Sequence, residues 1–325
     1  MKRIWVLSMV VASFVFLNGC KEEGITVPES EDPMLLVSHA KEATLSFVDS
    51  KTDEDLGSTT IPFTFTDMTY ISDKTIVGMN PSEDRILEID LDQQVTRPFL
   101  EVGSGITGLT YDSYTDTLFL KDTFDHAVRV VDGSSKEEGA TIQLDSSPSE
   151  LEVNKEGLLF VLTSDRNEVS VVDIMKEEVI RTFPVNDTPA GMYFDGALLW
   201  VGGHGSNGQL NQSVYAYDPQ TGENVMTVDV GLMPIAMISS ENSEKLFVLC
   251  HGDHSLYKVN TETQEVESKV DVGQNPNDLQ LSEDKLFVAN LDSDSISIVS
   301  KLDLSLIKTV PVASGPYLLL SEVEL

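Results

Sequence analysis

The chain is short of the residues on which most site chemistry depends. Its 325 residues include two cysteines, two tryptophans and five histidines. Cys20 and Cys250 alone exclude a disulfide framework and a Cys-rich zinc knuckle. Basic residues are scarce: 21 Lys and Arg face 54 Asp and Glu, for a formal net charge of −33. So acidic a surface repels phosphate backbones, which excludes nucleic-acid binding and favours cations or basic partners. Long apolar runs are missing as well. The longest, Ile4 to Leu17, falls short of the roughly 20 residues a membrane helix needs. After residue 34 no segment keeps an apolar helical stripe, which sets helical solenoids aside.

Motif chemistry is equally sparse. The sequence contains no C-x-x-C-H, no H-E-x-x-H and no nucleophile elbow. "GSGITG" (Gly103 to Gly108) satisfies G-x-G-x-x-G in form. A dinucleotide site needs a helix after that turn, and here "LTYDSYTDTLFL" follows, which reads as strand, turn, strand. "DSDS" (Asp292 to Ser295) lacks the Gly and the distal Glu of a calcium loop, and turn chemistry accounts for its acids.

What the chain has is a repeat. "NPNDLQLSEDKLFVANLDSDSISIV" (Asn275 to Val299) returns upstream as "MPIAMISSENSEKLFVLCHGDHSLYKV", "TPAGMYFDGALLWVGGHG", "SPSELEVNKEGLLFVLTSDRNEVSVVD" and "GITGLTYDSYTDTLFLKDTFDHAVRVVD". The middle of each "LFV" stretch falls at Phe119, Phe160, Trp200, Phe247 and Phe287, about 40 residues apart with one longer step. Weaker copies around Ile76 and Leu36 bring the number to seven. A period of this length identifies a repeat architecture. Within a unit the apolar residues alternate, as Ile296 and Ile298 do with Ser295 and Ser297. Such alternation, cut by Asp, Asn, Gly and Pro, predicts short antiparallel strands, and each unit has room for four. The predicted fold is therefore all-β, a seven-bladed β-propeller of four-stranded antiparallel blades over residues 34–325. The chain ends on "SGPYLLLSEVEL", a Pro-led first strand, while the first copy begins at "MLLVSHAKE" without one. Tyr317 to Leu325 are thus expected to supply the inner strand of the first blade and close the ring.

The N-terminus reads differently. Lys2 and Arg3, the apolar run and then "LNGC" have the form of a signal peptide over residues 1–19. Leu17 to Cys20 resembles the bacterial lipobox. The resemblance implies acylation of Cys20 and a protein anchored by lipid in the cell envelope, on a periplasmic or extracellular face. "KEEGITVPESEDP" after it reads as a flexible acidic tether, residues 20–33.

In a four-stranded blade, the loops from second to third strand share one face with the turns between blades. The second strands are expected to end at His39, Asn80, Asp122, Thr163, Gly203, Cys250 and Asn290. His204, His251 and His254 follow close behind and Trp200 precedes. His39, Asp122, Trp200, His204, His251, His254 and Asn290 are the candidate ligand-binding residues. A metal among the histidines is the less favoured alternative, and turn-forming polar residues are the plain one. The loop "GGHGSNGQLNQS" (Gly202 to Ser213) is the longest of these and Gly-rich, where specificity or a tolerated insertion is expected.

The units "LFVAN" (Leu286 to Asn290), "LFVLT" (Leu159 to Thr163) with "VSVVD" (Val169 to Asp173), and "TGENVMTVDVG" (Thr221 to Gly231) resemble the YVTN-repeat propellers, the YncE-like or surface-layer-type family. That resemblance implies the propeller fold and carries no shared catalytic residues. Two functions are weighed. One is a non-enzymatic binding or scaffold protein at the cell envelope, with no cofactor and an unidentified protein or small ligand, cationic by preference. The alternative is a propeller enzyme or redox partner, similar to quinoprotein or lactonase domains. Trp5 and Trp200 are too few for a tryptophan-lined quinone dock.

Overall fold

The protein is described by a computed structural model covering residues 22–323 apart from Asn207. The expected signal segment and Cys20 lie outside the described residues. Seven antiparallel sheets of the predicted kind follow one another, and among the described residues there is no helix. The inner strands are Pro316–Val323 in blade 1, then Asp67–Ser72, Ile106–Asp112, Glu150–Val153, Met192–Phe194, Pro234–Ser239 and Pro276–Ser282 in blades 2 to 7. Blade 1 takes its inner strand from the C-terminal end, paired with Met34–His39 through Leu36 opposite Leu320 and Val37 opposite Leu319. The ring closes as the sequence predicts.

Local chemistry explains where the strands turn. The third strand commonly ends in Asp or Asn, whose side chain accepts backbone N–H groups two and three residues on. Asp49 takes Lys51 and Thr52, Asp218 takes Gln220 and Thr221, and Asn260 takes Glu262 and Thr263. A left-handed residue closes several of these turns before the outer strand, as at Gln94, Glu177 and Gln264. Much of the acidity of this chain is turn chemistry.

Packing happens between blades. The buried apolar residues fall into seven clusters, each joining one blade to the next around the ring. Phe119, Phe160, Trp200, Phe247 and Phe287, the markers of the repeat, are at most 1% exposed. Each of them faces the following blade. On the inner strand of blade 1, Leu319 joins the cluster shared with blade 7 while Leu318 and Leu320 pack toward blade 2.

Residues 22–33, expected as a flexible tether, are instead laid against the fold. Glu23 and Gly24 pair with Thr96 and Val95 on the outer strand of blade 2, so that this sheet has five strands. Ile25 and Val27 are 9% and 6% exposed and belong to the cluster between blades 1 and 2. The acidic composition read as solvation, but the alternating Ile25 and Val27 give the segment a face to bury.

Leu319 tests the closure. Leu319→Ala removes a buried side chain from the junction of blades 7 and 1 and is expected to lower the unfolding free energy by about 2–5 kcal/mol. Urea unfolding measures it. A loss below about 0.5 kcal/mol, the range of an inconsequential surface change, would mean the last strand does not hold the ring shut.

Candidate functional site

The loops expected to share a face do so. The residue leaving the second strand donates its N–H to the turn that precedes its own blade: Ala40 to Gly315 O, Thr123 to Gly105 O, His204 to Thr188 O, His251 to Met233 O and Leu291 to Asn275 O. This latch recurs in blades 1, 3, 5, 6 and 7.

The candidate residues separate into two groups. Four are turned inward. His39 is fully buried, its Nε2 2.8 Å from Ser46 Oγ. Burial brings its pKa down to about 4, so the ring is neutral at pH 7. Asp122 accepts the N–H groups of Phe124 and Asp125 at 3.1 and 2.9 Å and lies 3.0 Å from Arg129 Nε. Asn290 accepts Gly273 N–H at 2.9 Å and donates to Ser295 O and Ser297 Oγ. Trp200 is a core residue: it has no exposure, packs between blades 5 and 6, and donates Nε1–H to Asp195 Oδ2 at 2.7 Å. These four candidates are thus buried in the fold instead of being presented on the loop surface. Cys250, at the same repeat position, is buried in the blade 5–6 cluster, and burial pushes its thiol up to about 12.

The second group stays at the surface. His204 and His251 come from different blades, and the fold brings their rings to 6.5 Å between centroids, edge to face. Burial and the neighbouring His251 both hold His204 below its ordinary pKa. His251 Nδ1 lies 3.2 Å from Pro276 O. His254 stands apart and exposed, accepting Asn275 N–H at 3.3 Å. Asn211 ties down the long loop that carries His204, donating to Gly203 O and Ser213 O. Gly202 lets this loop pack closely: a Cβ there would collide with Pro234 O. Among the described residues no three His, Cys, Asp or Glu side chains are grouped as metal ligands.

His204 and His251 line a larger feature, a central cavity of about 820 Å³ that reaches from the inner strands to these loops. Its wall carries Asp67, Glu150, Glu152 and Asp278 together with Lys121. Three of the carboxylates bridge neighbouring inner strands, each accepting a backbone N–H from the next blade. Asp67 takes Leu109 at 3.0 Å, Glu152 takes Phe194 at 3.2 Å, and Asp278 takes Leu319 at 2.7 Å. Lys121 donates to Ser149 O at 3.0 Å and lies 3.7 Å from Asp67 and 4.0 Å from Glu150. Burial works against its charge, but Glu150 and Asp67 outweigh it and hold the ammonium above its ordinary pKa. Gly108 makes room for this group, since a Cβ there would strike Lys121 Cε and Asp67 Oδ2. Burial raises Glu152 to about 7 and Asp278 to about 6.

These cavity residues were missed in the sequence. The signal lay in the repeat: Asp67, Glu150 and Asp278 occupy the same place in "FTDMTY", "SELEV" and "NDLQL". Gly108, Gly191 and Ala236 hold that place in blades 3, 5 and 6, so acids and small residues share one ring of positions.

No family model and no curated protein sequence matches the chain. Solved structures do. Hydrazine synthase of Kuenenia stuttgartiensis superposes with a TM-score of 0.70 at 15% identity, over 81% of this chain and 90% of that one. A functionally unknown protein from Desulfotomaculum acetoxidans gives 0.73 at 16%, over 89% and 98%. AztD from Citrobacter koseri gives 0.62 at 9%, over 89% and 97%. Identities this low establish a shared fold and nothing further.

Glu152 sets a pH signature. Its carboxyl keeps a proton in the folded state up to about pH 7, whereas the ordinary value is 4.5. Between those values the folded state binds more protons than the unfolded one, so this group costs stability as pH rises and the cost levels off above 7. Glu152→Gln keeps an acceptor for Phe194 N–H and removes the titration. The variant should gain on wild type between pH 5 and pH 8 in paired urea unfolding. An identical offset at both pH values would show that Glu152 is ionised throughout.

Proposed function

We propose that the chain is a non-enzymatic binding protein with YVTN-type repeats, anchored by lipid at Cys20 in the bacterial cell envelope. Its ligand is cationic and enters the mouth of the central cavity. One observation carries the reading: four carboxyl groups against one ammonium converge on a cavity that reaches two histidines on the loop face. Low-dielectric walls in which acids outnumber bases focus the field on the space between them. A cation seated there offsets by its charge the desolvation cost of ionising Glu152 and Asp278, so its binding strengthens as pH rises through 6 to 7. The apolar lining from Met192, Ile235 and Leu279 suits an organic amine or guanidine. The enzyme alternative draws less support, because three of the four wall carboxylates serve as inter-blade acceptors.

Two measurements test the two halves. Labelled fatty acid should enter wild type and not Cys20→Ala; equal labelling removes the anchor at that cysteine. For the ligand, a panel of small amines and guanidines is scored by thermal shift at pH 6 and 8. Glu150, nearly half exposed, is the acid to neutralise. Compounds that stabilise wild type should lose most of the shift in Glu150→Gln and in high salt, where the screening length falls to about 3 Å at 1 M. Hits indifferent to both changes would move recognition off the cavity.

A further inference from the structure

The docked N-terminal segment has a consequence for how an anchored ring meets the bilayer. From Glu22 onward the chain is held at almost every step. Arg97 on the outer strand of blade 2 lies 3.8 Å from Glu22, and Thr96 Oγ1 donates to Glu23 O. Ile25 N–H reaches Gln94 O at 2.9 Å, and Thr26 N–H reaches Thr59 Oγ1 on the outer strand of blade 1 at 2.9 Å. Lys51 pairs with Asp32 at 2.7 Å, and Ser50 donates through both N–H and Oγ to Pro33 O. The segment is a strap over the outer edges of blades 1 and 2.

Chain length then limits the anchor. A free tether of 14 residues spans up to about 46–50 Å at full extension, enough for a ring to tumble with any side toward the membrane. Cys20 stands two residues before Glu22. Two peptide steps of 3.8 Å each separate their Cα atoms by at most about 7.6 Å.

We infer that the anchored protein stands on its rim, with the outer edge of blade 2 next to the lipid headgroups and blades 5 and 6, across the ring, farthest away. The inference rests on acylation of Cys20. The partner surface is a lipid headgroup layer, and the acyl anchor imposes the contact. Glu22 and Glu23 are exposed carboxylates that oppose insertion of this edge into an anionic leaflet. Both flat faces of the ring then look sideways. The cavity mouth, with His204 and His251, is left open to soluble ligands instead of being pressed against the bilayer or hidden behind it.

The test uses the full chain, lipidated in cells and reconstituted into phosphatidylcholine vesicles containing a headgroup nitroxide quencher. A fluorophore is placed at Gln93→Cys or at Glu223→Cys. Both positions are exposed turns between third and outer strands, one in blade 2 and one in blade 5. Cys250 does not compete for the label, because it is buried with its thiol raised to about 12. The Gln93 probe should be quenched several-fold more than the Glu223 probe. Inserting 20 Gly-Ser residues between Lys21 and Glu22 should bring the two toward equality without releasing the protein from the vesicles. Equal quenching in the uninserted protein, or a difference that survives the insertion, overturns the orientation while the anchor stands. Absence of fatty-acid label at Cys20 overturns the anchor, and the orientation with it.

Discussion

A four-stranded blade of six-residue strands buries neither of its faces by itself, and everything else in this molecule follows from that. Each blade presents a row of large side chains to the next, Phe119, Phe160, Trp200, Phe247 and Phe287 among them, and receives the row of the one before. A linear stack of such units leaves two apolar faces in water at its ends. Closing the stack into a ring removes both at once. The last blade to be synthesised therefore has to meet the first, and the C-terminal strand achieves this by completing a sheet begun nearly 290 residues earlier. The N-terminal strap adds a second tie on the outside, over blades 1 and 2, where Ile25 and Val27 fill the edge of their cluster.

Ring closure also creates the candidate site. Seven inner strands converge on an axis, and their inward edges have no further strand to pair with. Backbone N–H groups there need acceptors, and water reaches them incompletely. Asp67, Glu152 and Asp278 fill the need by reaching from one blade to the next. The same carboxylates give the cavity its charge. Structure and binding potential are one set of atoms here, so neutralising a wall acid by an isosteric amide separates the two roles while truncating it to alanine confounds them.

The fold was legible because a repeat multiplies weak signals. One "LFV" stretch is a strand like many others; five at a near-constant interval, with turn residues between, specify a blade and its copies. The candidate site was legible only in part. His39, Asp122 and Asn290 are polar side chains at strand ends, yet each is buried and already bonded within the fold, to Ser46, to the N–H groups of its own loop and to Gly273 N–H. Trp200 attracted notice for its rarity, while its place in the repeat is the one filled by Phe in four other blades. That His204 and His251 come within 6.5 Å depends on how two blades sit side by side, which no local spacing encodes. The strap was hidden by its own composition. Glu22, Glu23, Glu29, Glu31 and Asp32 swamp two apolar residues in any average over residues 21–33.

The excess of acid over base is itself two populations. Acids such as Asp49, Asp173 and Asp218 sit in turns and accept local N–H groups. At the cavity wall, burial makes Glu152 and Asp278 hold protons well above the ordinary carboxylate range. A cation entering from the loop face would find surface acids already screened by water and salt, but wall acids whose ionisation it can itself restore. The cationic ligand proposed for this cavity would therefore be held at the axis by the wall acids rather than by the net charge of the chain.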